Sequence, residues 1–551
     1  MLTGAISGIS VVDGWALAVS LVAAVLAKSS ASIYLNVYRP KPNTVRQTTY
    51  LPFPLSLIGQ IPDVLILLEP GVAQMRNLAN CRAHGVSVGI VHNLGKVGYE
   101  IWDRRDVEYL LLKRKVLKAD YYRFLSPLFG TYGLVALEDE KMHSVHRRML
   151  GPAFTTQALR VTYDTTVVKR VAEMATELDR EVVERQTHVD DDEKGQDGAA
   201  QPKVKKIRQH GTSSGGGESV EMELEKPFDN FALNVISEAA FREVHVDGLN
   251  VGEEFHRMVT SLASSPQIFI PGCKDIPTAP LAAMKRAANN VRTISIEMIR
   301  RAREMLVTEE SGRRLLVDYL AEARAENAFN DEAVADHALT FLLAGHETTS
   351  TTMTWCTYLL AKHPEVQKRL SEEVSAAFAF DTVPSLDTVQ QLQLLNNVIK
   401  ETLRLLPPVA GLSRKTSEDE FLPYAQVYIP KGAEIVFNMY GMMRDPAIWG
   451  ADADDFRPDR WNDTEFIETH VGQGAYMPFF LGKRNCIGKD FAINELLACL
   501  AVFVRRFSVA WPAGAREPKR HTKLTMRPRD AIRLLVTRRD DEQRDDANVR
   551  Q

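Results

Sequence analysis

The sequence predicts a mainly α fold with a minor β region, preceded by an N-terminal membrane anchor. Three observations carry this. Long stretches repeat apolar residues every three or four positions, the spacing of one buried helix face. Short β-rich runs occur between proline and glycine punctuation. A hydrophobic fraction of 45% over 551 residues supplies a large buried core. The formal charge of −4 gives no global basic field and speaks against nucleic-acid binding. Five cysteines, odd in number and without a CxxC spacing, argue against a disulfide framework and for a reducing compartment.

Residues 1–38 form the expected anchor. Gly14 to Ala27 is uncharged, and extending it past Asp13 or Lys28 reaches the length of a bilayer span, about 20 residues. A cleaved signal peptide competes, but no basic segment precedes the apolar run. Lys28, Arg39, Lys41 and Arg46 follow it, so the positive-inside rule sets the body in the cytoplasm. Residues 39–60 form a semi-rigid hinge, because Pro40, Pro42, Pro52 and Pro54 resist helix. The globular body spans 61–538. Within it, 190–219 runs from Asp190-Asp191-Asp192-Glu193 to Gly215-Gly216-Gly217 with little to bury, and is expected to be a disordered insertion.

Gly345 to Leu360, Glu365 to Ala377, Gln390 to Leu405 and Lys489 to Phe507 carry helical periodicity. Val427 to Ile429 and Ala433 to Phe437, broken at Pro430-Lys431-Gly432, predict a small hairpin. Residues 539–551 are a charged, frayed tail.

The most specific feature is Pro478-Phe479-Phe480-Leu481-Gly482-Lys483-Arg484-Asn485-Cys486-Ile487-Gly488, just before a helix. A helix start can donate amides to the Cys486 sulfur and favour its anionic form, as a metal-ligating thiolate requires. Gly482 and Gly488 let backbone bend around that sulfur and pass close to a large flat ligand, and Arg484 offers a fork for a carboxylate. A second segment, Ala344-Gly345-His346-Glu347-Thr348-Thr349, sets threonines after a glycine. Threonine hydroxyls capture carbonyls one turn back, which would open the helix ladder into a groove beside an acid and a hydroxyl. A third, Glu401-Thr402-Leu403-Arg404, sets an ion pair on one helix face, ahead of Phe456-Arg457-Pro458-Asp459-Arg460-Trp461.

Together these motifs, in this order over roughly residues 45 to 535, resemble the cytochrome P450 family. The resemblance implies a helical prism with haem b between the Glu347/Thr348 helix and the Cys486 loop. It makes Cys486 the axial ligand of the haem iron, with Phe479, Gly482, Arg484 and Gly488 as cofactor-binding residues of the loop. Thr348 and Glu347 become the catalytic proton-handling pair. Glu401, Arg404 and Arg460 become a structural network. His143, Arg147 and Arg414 are matched to the haem carboxylates. The family most often has tryptophan at the His143 position, so His146 is an alternative for that contact.

The implied activity is a cytochrome P450 monooxygenase, inserting one oxygen atom from dioxygen into an apolar lipid, terpenoid or other secondary metabolite. NADPH would supply electrons through NADPH–cytochrome P450 reductase, with cytochrome b5 as a further partner and the endoplasmic reticulum membrane as the location. Two alternatives stay open: a haem-thiolate isomerase or dehydratase acting on a peroxide without reductase, and a non-catalytic haem protein. Phe124, Phe129, Phe269, Phe341 and Leu412 are the expected apolar pocket wall.

Overall fold

The computed structural model describes residues 45–46, 72–93, 96–192, 218–241, 277–306, 314–326, 328–522 and 525–539, with short pieces between 245 and 261. The anchor (1–38), most of the hinge, the body of the expected insertion (193–217), Phe269 and the tail beyond 539 lie outside the described residues. Among the described residues no helix is long and apolar enough to cross a membrane.

The principal helices are α1 (Val72–Ala83), α2 (Glu140–Leu150), α3 (Val168–Asp192), α4 (Glu225–Phe241), α5 (Ala279–Leu306), α6 (Leu316–Ala325), α7 (Asp331–Lys362), α8 (Pro364–Ala377), α9 (Gln393–Leu405) and α10 (Lys489–Arg506). The longest, α7, begins where Asn330 accepts the Ala333 N–H at 2.7 Å. Asp331 and Glu332 in its first turn and Lys362 in its last complement the helix dipole. It packs against α4, α5, α9 and α10, so it is buried nearly all round.

The principal strands are β1 (Val45–Arg46), β2 (Val88–Asn93), β3 (Lys96–Ile101), β4 (Val116–Lys118), β5 (Val220–Glu223), β6 (Leu412–Thr416), β7 (Glu420–Leu422), β8 (Val427–Ile429), β9 (Glu434–Phe437), β10 (Phe507–Ala510), β11 (Arg520–Thr522), β12 (Met526–Pro528) and β13 (Arg533–Arg538). The larger sheet runs β1-β2-β3-β9-β6-β4, and a smaller one runs β10-β13-β5.

Three local expectations are corrected. The run 427–437 is not one hairpin. β8 turns back on β7 instead, with Val427 opposite Leu422, while β9 is a central strand between β3 and β6. A central strand finds two partners far away in sequence, and those outweigh the local turn. Second, α7 runs unbroken through the threonine-rich segment. Thr348 does donate to the Ala344 carbonyl at 2.8 Å and Thr349 to the Gly345 carbonyl at 2.9 Å. Each carbonyl has a second lone pair, so the hydroxyl joins the helical amide without displacing it. Third, the edges of the 190–219 segment are ordered: Asp190 to Asp192 close α3, and the Ser219 hydroxyl meets that of Thr537 at 2.8 Å beside β5.

Candidate active site

The Cys486 loop is held by its own backbone. The Cys486 N–H donates to the Phe479 carbonyl at 2.9 Å, closing the loop across a short helical turn at Gly482–Arg484. Gly482 sits at φ +73°, and a Cβ there would lie 2.2 Å from the Leu111 carbonyl oxygen. The fit against Leu111 alone therefore requires glycine there. Phe480 also takes a positive φ, of 59°, a strained conformation for a bulky side chain. Gly488 caps α10, and its N–H is hydrogen-bonded to the thiol. Burial raises the Cys486 pKa, while the Gly488 N–H and the Arg147 charge counter that rise. The side chain is nonetheless solvent-accessible.

Beside the loop lies a group of cations. Arg147 on α2 grips Asn485, donating to its backbone and side-chain oxygens at 2.7 Å each. Arg484 pairs with Glu140 at 2.7 Å and donates to the Leu137 carbonyl. Arg414 on β6 is buried, donates to the Ser413 carbonyl, and stacks 4.6 Å from the Phe480 ring centre. Lys118 on β4 is its register partner, buried with its ammonium 3.7 Å from the Tyr122 ring centre. Burial, then Arg414 and Arg484, pushes the Lys118 pKa down. Buried His143 is driven to about 2 by desolvation and by Arg484, Lys118, Arg147 and Arg414. So much positive charge around one carboxylate, Glu140, calls for an anionic ligand.

The acid and hydroxyl of α7 are differently engaged. Thr348 is partly buried, with its hydroxyl on Ala344. Glu347 is buried and accepts from the Thr525 hydroxyl at 2.8 Å and from Arg527 at 3.1 Å. Arg527, on β12, also holds Glu225 at 2.8 Å and Asp229 at 2.9 Å on α4. Burial works against ionisation of Asp229, but His346 and Arg527 hold its carboxyl well below the usual range. Glu225 and Asp229 keep about a quarter of their side chains in solvent (26% and 27%), so the cluster runs from the surface to Glu347.

The third motif is wholly interior. Glu401, Arg404 and Arg460 have no side-chain exposure. Glu401 accepts from Arg404 Nε and Nη2 at 2.8 Å, from Arg460 Nε at 2.8 Å, and from the Arg457 backbone and Trp461 indole at 3.0 Å.

The structure therefore groups Cys486 with Phe479, Gly482, Arg484, Gly488, Arg147, His143 and Arg414, and groups Glu401 with Arg404 and Arg460. It takes one residue elsewhere: His146, the alternative to His143, turns away to His337 on α7 at 2.9 Å. Phe341 stacks on Phe154, centroids 5.4 Å apart, in a cluster that also packs on Ile487. Its ring lies on the face of α7 turned toward α2 and the Cys486 loop. Lys118, Trp461, Thr525 and Arg527 were not anticipated. Trp461 alone had a local signal, adjoining Arg460.

The model of the family described as Cytochrome P450 matches residues 101–536. Echinocystic acid 23-monooxygenase of Saponaria officinalis is 27% identical over 431 residues, 75% of each chain. Cytochrome P450 714D1 of Oryza sativa subsp. japonica is 28% identical over 356 residues, 62% of this chain and 61% of its own. Cytokinin hydroxylase of Arabidopsis thaliana is 30% identical over 328 residues, 57% and 61%. The matches to the last two span slightly under two thirds of those relatives.

Proposed function

The chain belongs to the cytochrome P450 family of oxygen-incorporating oxidoreductases, and on that premise we propose that it inserts one oxygen atom from dioxygen into an apolar organic molecule. The observation that carries this is the solvent-accessible thiol of Cys486, flanked by cations short of counter-charge. The residues fit the family's haem. Cys486 would ligate its iron. Arg414, Lys118 and His143 would meet two carboxylates, which supply the negative charge that the cluster lacks. Bound haem b supplies the activation of dioxygen, and NADPH would feed it electrons through a separate reductase, with cytochrome b5 as a further donor.

The chain's own residues prepare the site. Asn485, held by Arg147, fixes the backbone on the N-terminal side of the sulfur. The Gly488 N–H favours the anionic sulfur. Thr348 offers a hydroxyl that can release the Ala344 carbonyl and hold a proton. Glu347, the next residue along α7, is held by Arg527 in a cluster with Asp229 and Glu225 that reaches the surface, and it supplies the carboxylate for proton transfer. This acid and hydroxyl weigh against the peroxide-rearranging reading, which needs no proton delivery.

For substrate, the relatives' names give a monooxygenase of echinocystic acid and a hydroxylase of a cytokinin. They support hydroxylation or epoxidation of a terpenoid, lipid or other secondary metabolite here. Residues 1–38 would anchor the body to the cytosolic face of the endoplasmic reticulum; recovery of the full-length chain in the soluble fraction after carbonate extraction would refute that. The central test is the carbon monoxide difference spectrum. Cys486→Ser should lose the thiolate band. Cys499→Ser should keep it, because Cys499 is buried in α10 with its sulfur 3.6 Å from that of Met174. The opposite result would reject the assignment. Turnover with and without NADPH and reductase separates a monooxygenase from the other two readings.

A further inference from the structure

The carboxylate of Glu347 is held by a part of the chain far from its own helix. β11 and β12 pair as an antiparallel hairpin, with His521 opposite Arg527 and Thr522 opposite Met526. The hairpin lies along one stripe of α7. Glu347, Thr351 and Trp355 stand four apart and share a helix face, and each meets the hairpin. The Trp355 indole donates to the Met526 carbonyl at 2.9 Å. The Thr351 hydroxyl lies 3.3 Å from that of Thr525 while donating to the Glu347 carbonyl at 2.7 Å. The Thr525 hydroxyl donates to Glu347 Oε1 at 2.8 Å, and Arg527 Nη2 donates to Oε2 at 3.1 Å. Among the described residues, the hydrogen bonds to this carboxylate come from the hairpin alone.

The strand is built to aim these two side chains. Met526 is fully buried, and both of its backbone groups are fixed: its N–H donates to the Pro408 carbonyl at 2.8 Å and its carbonyl takes the Trp355 indole. Side chains alternate across a strand, so Met526 enters the core while Thr525 and Arg527, on either side of it, turn together toward Glu347. Arg527 is anchored in turn. It donates to the Ser350 hydroxyl at 3.0 Å and to Glu225 and Asp229 of α4 at 2.8 Å and 2.9 Å. A planar guanidinium can hold all of these groups at once in fixed directions, which the point charge of a lysine cannot. A reacting group misplaced by about 1 Å can lose about 10²-fold in rate, so this anchoring bears on the acid's chemistry.

We propose that Thr525 and Arg527 are positioning residues: through them the β11–β12 hairpin sets where the Glu347 carboxylate stands, and so how fast it hands on protons. This role rests on the proton transfer proposed for Glu347, whereas the grip on the carboxylate does not.

Hydrogen exchange at the Thr525, Met526 and Arg527 amides of the full-length, haem-loaded protein reads the grip without turnover. Thr525→Val keeps the shape of the side chain and removes only the hydroxyl. It should raise exchange by about tenfold or more, the worth of a hydrogen bond to a charged group. Thr525→Ser should keep wild-type protection. Glu347→Ala should loosen the segment as well, and adding Thr525→Val to it should bring little further change, because both remove the same bond. Fully additive effects of the pair would overturn the proposal.

Dioxygen consumption with NADPH and saturating reductase reads the role in proton supply and needs no organic substrate. Dioxygen leaving as hydrogen peroxide takes up two electrons, both from NADPH, and two protons. Thr525→Val should slow this by about tenfold, a fraction of the roughly 10²–10⁴-fold that a positioned acid provides, and should enlarge the solvent deuterium isotope effect. Thr525→Ser should restore both. Arg527→Lys, which keeps the charge and loses the fork, should slow consumption similarly, with Thr525→Val deciding the matter where Arg527→Lys does not fold. A loosened hairpin with an unchanged rate and isotope effect would make Thr525 a structural residue only and overturn the proposal. A wild-type protein that consumes no dioxygen would instead refute the proposed function, and the exchange measurements would still decide whether the hairpin holds Glu347.

Discussion

Replacing Glu401 with alanine is the sharpest test of how the Cys486 segment is held. Glu401 is the anion between two guanidinium groups, of Arg404 and Arg460, and none of the three side chains is exposed. Removing it leaves two buried cations and orphans the Trp461 indole and the Arg457 amide. Breaking a buried ion pair in this way costs about 3–5 kcal/mol. The lower end is favoured because both arginines keep carbonyl acceptors, Arg404 at Met443 and Ala453, Arg460 at Asp452. At about 2.1 cal/mol/K per residue, a chain of 551 residues moves by roughly 1 °C for each kcal/mol. Glu401→Ala should therefore melt about 3–5 °C below wild type and retain less haem, followed by circular dichroism and the Soret band together. Glu365→Ala, exposed on α8, should change neither by a measurable amount. A Glu401→Ala protein with the wild-type midpoint and full haem content would show that the network carries no such energy.

Gly482→Ala forces an L side chain to φ +73° against the Leu111 carbonyl and should cost about 2 kcal/mol or more with loss of haem, whereas Gly488→Ala, whose nearest atom lies at 3.9 Å, should fold normally; thermal midpoints distinguish them. Glu100, buried beside Asn77 and Asn438, has its carboxyl raised by burial to about 7. The folded state keeps a proton that the unfolded chain releases near 4.5, so stability should fall as pH rises from about 4.5 to about 7. Across that window Glu100→Gln should gain on wild type by up to about 3 kcal/mol, less about 1 kcal/mol for a lost acceptor, read from urea midpoints. Thr348→Ala should bind substrate yet divert reducing equivalents to hydrogen peroxide, and Glu347→Gln should slow turnover by about 10²–10⁴-fold; unchanged coupling in both would remove them from proton delivery.

What could be read from the sequence was whatever depends on fixed offsets along the chain. The Cys486 loop, the 401/404 pair and the acid-threonine segment each place their residues within one or two turns. The ends of α8, α9 and α10 followed within a few residues for the same reason, whereas α7 begins at Asp331, well before the run expected from Gly345. Strand pairing did not follow, because β9 draws its partners from Gly98 to Ile101 and from Leu412 to Lys415. Nor did the partners of the polar groups. Nothing near Glu347 announces Arg527, 180 positions on, and nothing near His146 announces His337.

The same distinction bears on what a single residue type can signal. A histidine adjoining a matched arginine looked interchangeable with its neighbour His143, since both lie on α2. Three positions apart, they point about 60° apart around the helix, enough to meet different surroundings. His143 faces Lys118, Arg414 and Arg484, where a proton is repelled. His146 faces His337, and burial alone favours its neutral ring. Both histidines end as neutral rings in the fold. Only His143 would gain from a bound anion, so loading the full-length protein with haem should raise the protonation of His143 and leave that of His146 unmoved. Histidine-selective NMR of the apo and haem-loaded protein would read the two separately, and a shift of His146 in place of His143 would reverse the roles assigned to them.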